Sequence, residues 1–97
     1  MAEWQSPKHL SDHFEKHGRA VGARTVEEYD ASARAILARD DAIVVSYEDR
    51  STGLRRVGVY DESDALITVL SDDDRWIVNH FRARRSYLRR LLRSTYE

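Results

Sequence analysis

The chain has no cysteine among its 97 residues. Disulfides, thiolate metal sites and cysteine nucleophiles are therefore excluded, and a reducing compartment, by default the cytoplasm, is the expected location. No apolar run approaches the ~18 residues of a membrane span. The opening Met1-Ala2-Glu3-Trp4-Gln5-Ser6 has no basic stretch leading into an apolar core, so neither a secretion signal nor membrane association is expected. Also missing are a glycine loop with lysine and serine or threonine for phosphates, a dinucleotide fingerprint and paired-cysteine zinc spacing, which argues against nucleotide-driven chemistry and for no cofactor. With one proline and four glycines the chain has little punctuation and no low-complexity tract or linker. What is present, 41% hydrophobic and 34% charged residues, suits one soluble globular domain over residues 1–97.

The near-neutral total, a formal charge of -1, hides a strong polarity along the chain. Residues 61–74 carry six carboxylates and no base, whereas residues 75–97 carry seven arginines against one carboxylate, Glu97. Screening confines such fields to about 8 Å at physiological salt, so the basic end can attract a phosphate or an acidic partner although the whole molecule is neutral.

Hydrophobic periodicity predicts an α+β domain: two N-terminal helices packed on a four-stranded antiparallel β-meander, followed by a short C-terminal helix. Residues 1–5 read as a loose lead-in. Ser6-Pro7 is a helix start, with a hydroxyl cap and a proline at the first helical position, and the helix runs to His17, with Gly18 suited to a left-handed cap. At about 100° per residue, His17 falls close to the apolar face formed by Leu10 and Phe14, and His9 furthest from it. Thr25-Val26-Glu27-Glu28 is a capping box opening a second helix to about Arg39, with Val26, Tyr29, Ala33, Ile36 and Leu37 facing the sheet. Strands are expected over Ala42–Glu48, Leu54–Tyr60, Ala65–Ser71 and Arg75–Arg82, and the short loops between them require antiparallel neighbours. Strict alternation in the last strand places Trp76, Val78, His80 and Arg82 on one face, and Ile77, Asn79 and Phe81 on the other. Residues 86–97 form the helical extension, with Arg85, Arg89 and Arg93 at intervals of four.

Few residues offer chemistry. His9, His13 and His17 recur at i, i+4 and i+8, but three ligands spread over two helical turns do not converge on one ion, and no metal is expected there. His9 and His13 read as solvated, and His17 as a C-terminal histidine favoured by the helix dipole. Asp72-Asp73-Asp74 reads as a solvated hairpin tip rather than a magnesium cage. The stretch Asn79-His80-Phe81-Arg82-Ala83-Arg84-Arg85 is more informative. Guanidinium groups match phosphate oxygens in forked geometry, so a histidine beside arginines at a strand end fits a held and protonated phosphodiester.

Two stretches resemble a known family. His13-Phe14-Glu15-Lys16-His17-Gly18, leading through a connector into Thr25-Val26-Glu27-Glu28-Tyr29, is similar to the start of the barnase–EndoU–colicin–RelE type of small ribonuclease domain, colicin D-like and phage-type versions above all. Val57-Gly58-Val59-Tyr60-Asp61 and Ile77-Val78-Asn79-His80-Phe81-Arg82 are similar to that family's closing strands. The resemblance, over about residues 12–84, implies a metal-independent endoribonuclease of toxin type. It would cleave RNA, tRNA or message, by attack of the 2'-hydroxyl to leave a 2',3'-cyclic phosphate, and would be held in check by a cognate antitoxin or immunity protein. Carried over to this sequence, it implies His17, His80 and His13 as catalytic candidates, with His17 as base and His80 as acid or the reverse, and Lys16, Arg82, Arg84 and Arg85 as phosphate-binding groups. The alternative is a non-catalytic module that binds nucleic acid or an acidic protein through the C-terminal arginine face, using Arg85, Arg89 and Arg93.

Overall fold

The computed structural model describes residues 2–96, with side chains through Leu92. The chain is α+β, with strands β1 (Glu3–Trp4), β2 (Ile43–Glu48), β3 (Arg55–Asp61), β4 (Leu66–Ser71) and β5 (Trp76–Arg82) and helices α1 (Pro7–His17), α2 (Val26–Leu37) and α3 (Arg85–Tyr96). The four expected strands pair in sequence order, but the sheet has a fifth member. The order is β1-β5-β4-β3-β2, and β1 runs parallel to β5, so the sheet is mixed rather than a four-stranded antiparallel meander.

The lead-in is therefore not loose. Trp4 is 8% exposed, and its indole N–H donates to Asp30 Oδ1 of α2 at 2.8 Å. The Arg34 guanidinium donates to the Ala2 carbonyl, the Glu3 carboxylate and Asp30, tying β1 to α2. A strand of two residues leaves no periodic trace in a sequence; burial of one tryptophan is what fixes it.

Alternation sorts the sheet residues onto two faces. Leu66, Leu70, Ile77 and Val59 join Tyr29, Ala33 and Ile36 of α2 in one cluster, against which Leu10 and Phe14 of α1 pack. Val45, Tyr47, Tyr60, Ile67 and Val69 form the other with Leu88 and Leu91 of α3. The N-cap half of the α2 capping box is present, with Thr25 Oγ1 accepting from Glu28 N–H at 3.1 Å, but Glu28 Oε1 accepts from the Arg24 N–H at 3.0 Å, one residue before the N-cap.

Two local expectations fail for identifiable reasons. Gly18 caps α1 in a right-handed conformation (φ -55°, ψ -47°), so it is not needed for a left-handed turn. It is needed for space, because a Cβ there would lie 2.5 Å from Phe14 Cδ1. Gly18→Ala should destabilise the fold by about 1–3 kcal/mol through overpacking, seen as a lower urea midpoint with an unchanged slope. The second failure is in β5. Thr68 pairs with His80 and Val69 with Asn79, but Leu70 pairs with Ile77, so Val78 is an extra residue in a β-bulge. Beyond it the alternation inverts: Ile77 and His80 share the α1–α2 side, while Val78 and Phe81 pack towards α3.

Candidate functional site

The bulge determines what surrounds α1. A bulged residue loses a ladder partner, and the Val78 carbonyl accepts instead from His9 Nε2–H at 3.0 Å. One turn later His13 Nδ1 meets Asn79 Oδ1 at 2.8 Å. That oxygen also accepts the backbone N–H of His80 at 2.8 Å, which fixes the amide orientation and makes His13 Nδ1 the donor. His13 Nε2 then carries the lone pair, and it has no hydrogen-bond partner among the described residues. The rings run along the helix as a ladder, 4.4 Å from His9 to His13 and 6.1 Å from His13 to His17 between centroids. Trp4 flanks His9 and His13, and Phe81 lies 5.6 Å from His17. His9 and His13 are thus partly buried against β5 and only partly solvated, unlike the fully solvated reading from helical angles. The wheel located Leu10 and Phe14 but could not show that a sheet edge lies beside the polar stripe.

Burial sets the titration of this ladder. His13 is held below the ordinary 6.5 chiefly by desolvation, with the Asn79 hydrogen bond opposing and the neighbouring His9, His17 and Lys16 charges adding to the depression. His17 is lowered by desolvation and by Lys16. Both rings are therefore neutral at pH 7 in the free protein.

His80 occupies a different environment from the one expected of a catalytic acid. It has no exposed surface. Its Nδ1 lies 3.0 Å from both the Ile67 carbonyl and Thr68 Oγ1, and its Nε2 lies 2.8 Å from Ser32 Oγ. A carbonyl only accepts, so Nδ1 carries the proton and Nε2 accepts the Ser32 hydroxyl. Thr68 donates its own proton to the Ala33 carbonyl at 3.0 Å, and the Tyr29 hydroxyl donates to the His80 carbonyl. With every polar atom engaged, burial pushes His80 down to about 4, with a smaller contribution from the charge of His17. His17 and His80 are thus near enough to feel one another, but the His80 ring lies beneath α2, out of reach of a substrate. The bulge at Val78 puts it on the sheet face covered by α2 and not on the α3 face with Val78.

The cations divide. Arg82, at the end of β5, donates Nε–H to the Ala20 carbonyl at 2.7 Å and Nη1–H to the Asp64 carbonyl at 3.1 Å. It thereby pins the α1–α2 connector to the β3–β4 turn through Nε and Nη1, with the side chain exposed at the C-terminal end of α1. Lys16 is exposed next to His17. Arg85 forms an exposed ion pair with Glu62 at 2.9 Å, whereas Arg84 and Arg89 have no carboxylate partner among the described residues. Arg90 lies over the Tyr87 ring at 5.5 Å. Arg93 falls outside the residues whose side chains are described.

Asp73 accepts from Ser71 Oγ at 2.6 Å and from the Arg75 N–H at 3.1 Å, so the central residue of the acidic triplet organises its hairpin. Among the described residues no three histidine, aspartate or glutamate side chains are grouped to hold a metal ion, and no helix is long and apolar enough to cross a membrane. Asn79, Ser32 and Tyr29, the residues that orient His13 and enclose His80, carried no signal of that role in the sequence, because their meaning depends on the bulge. Compared with known proteins, the chain matches no family model, no curated protein and no solved structure.

Proposed function

We propose that the chain is a small metal-independent endoribonuclease whose working residues lie on α1, with His13 and His17 as the proton-transfer pair and Lys16 and Arg82 as phosphate-binding groups. The observation that carries this reading is the Asn79 hydrogen bond to His13. It fixes the ring and its tautomer and leaves Nε2 as a base, with a second histidine one helical turn away. Cleavage requires removal of the 2'-hydroxyl proton, protonation of the departing 5'-oxygen and cations against the developing charge on phosphorus. His13 Nε2 takes the first proton. The oxygen's lone pair attacks phosphorus, the bond to the 5'-oxygen breaks, and His17 in its protonated form supplies that oxygen's proton. Lys16 and Arg82 neutralise the phosphoryl oxygens. His80 is a positioning residue in this scheme, holding the β4–β5 pair under α2.

The chemistry needs a neutral base and a protonated acid, so kcat/KM rises with pH through the first pKa and falls through the second. Both histidines titrate below 6.5, and kcat/KM on single-stranded RNA in EDTA should therefore peak below pH 6.5 and decline towards pH 8. RNA left intact across that range at micromolar protein would reject the reading.

A second reading is favoured by one observation, the exposure of Arg84 and Arg89 without carboxylate partners among the described residues. A binding module of this kind would hold a polyanion through the α3 surface, with affinity falling steeply as salt rises and surviving substitution of His13 and His17.

A further inference from the structure

The helix layer on the α1–α2 side stops at α2, and the sheet continues beyond it. Between α2 and β2 lies a cleft of about 1010 Å³ whose floor is Val44, Val57, Val59 and Leu70 and whose wall is Leu37. Val44 is 66% exposed there, although it sits within a strand. The charges on the rim are not balanced. Arg34 is spent on Glu3 and Asp30, and Arg39 on Asp41 and Asp61, whereas Asp40, Asp72 and Asp74 line the same cleft without an ion-pair partner among the described residues. An apolar trough edged by unpaired carboxylates repels a polyanion and accepts an apolar surface carrying cations.

The chain itself carries such a surface. The inner face of α3 is buried through Leu88 and Leu91. Its outer face presents Arg89 and Leu92 at i and i+3, neighbours on one stripe of the helix, and Leu92 is 41% exposed, whereas Arg85 on the same stripe is held by Glu62. We propose that the cleft between α2 and β2 receives the outer face of α3 from a second copy of this chain. Leu92 would cover Val44 and Leu70, and Arg89 would face the carboxylates of Asp72 and Asp74. Because the two surfaces lie on different parts of the molecule, the contact is heterologous and propagates head to tail. It is independent of the catalytic reading, which rests on α1.

Sedimentation equilibrium on the intact chain tests this with three blocked variants. Val44→Glu closes the cleft, and Arg89→Glu with Leu92→Glu closes the helix; all three side chains are exposed, so folding should be retained and is checked by circular dichroism. Asp72→Lys with Asp74→Lys blocks the cleft by charge alone. The wild-type mass should rise with concentration above 11.3 kDa and fall back as salt is raised. Each blocked variant alone should remain at 11.3 kDa, and an equal mixture of cleft-blocked and helix-blocked chains should form a dimer and nothing larger. A wild-type mass fixed at 11.3 kDa up to millimolar protein overturns the proposal. So does association that the variants leave intact, or a mixture of variants that stays monomeric while the wild type associates.

Discussion

His13→Ala should lower kcat/KM for RNA cleavage by about 10²–10⁴-fold, the usual contribution of a positioned proton-transfer group, while lowering the unfolding free energy measured in urea by no more than about 1 kcal/mol. The stability effect is small because His13 is only partly buried and Asn79 Oδ1 keeps its bond to the His80 N–H when the imidazole is gone. Asn79→Leu provides the complement. It leaves both rings in place but removes the acceptor that holds His13 Nδ1–H, so kcat should fall more than KM rises, and the ascending limb of the pH profile should move. A His80→Gln protein assayed below its unfolding temperature should keep its activity within about tenfold, since a ring with no exposed surface does not reach substrate. Loss of activity in His80→Gln with full retention in His13→Ala would return the acid–base role to the strand.

The second large effect is on stability in acid. The folded-state pKa of His80 is about 4 against an ordinary 6.5. Because the folded value is depressed, the unfolded chain binds the proton more readily, and falling pH favours unfolding between 6.5 and 4. The contribution is fully present above 6.5 and is lost as pH falls towards 4; at about 1.4 kcal/mol per unit it amounts to about 3 kcal/mol. His13 and His17, also depressed, act in the same direction. Urea unfolding of the wild type at a series of pH values from 7.5 to 4 should show this loss. His80→Gln, less stable at pH 7 because Ser32 and Thr68 lose their partner, should show a flatter profile over that window. Parallel profiles for the two proteins would mean that His80 titrates normally and is not enclosed.

Where the chain speaks locally, its sequence is legible. Ser6-Pro7 and Thr25 with Glu28 open α1 and α2 where their caps predict, and Gly53, with φ 73°, helps turn the first hairpin. The four strands of the meander follow from alternation and short loops. The remainder depends on contacts that no period encodes. β1 is two residues long, and it exists because Trp4 finds both the α2 surface and Asp30. The Val78 bulge shifts one residue in β5 and so separates His80 from Val78, which strict alternation places on the same face, and sets its ring under α2. The same bulge leaves the carbonyl that His9 satisfies, and with it His9 and His13, which read as solvated in the sequence, lie against a sheet edge. Of the residues singled out for chemistry, His13, Lys16, His17 and Arg82 gather around α1 and the end of β5, while Arg85 is taken up by Glu62.

The most direct measurement is the chemistry of the product ends. A short RNA incubated with the purified protein in EDTA should yield fragments ending in a 2',3'-cyclic phosphate, and the same oligonucleotide with a 2'-deoxyribose at the scissile position should remain whole at that bond. Cleavage of the deoxy substrate, or fragments bearing 3'-hydroxyl ends, would contradict a mechanism in which His13 activates the 2'-hydroxyl.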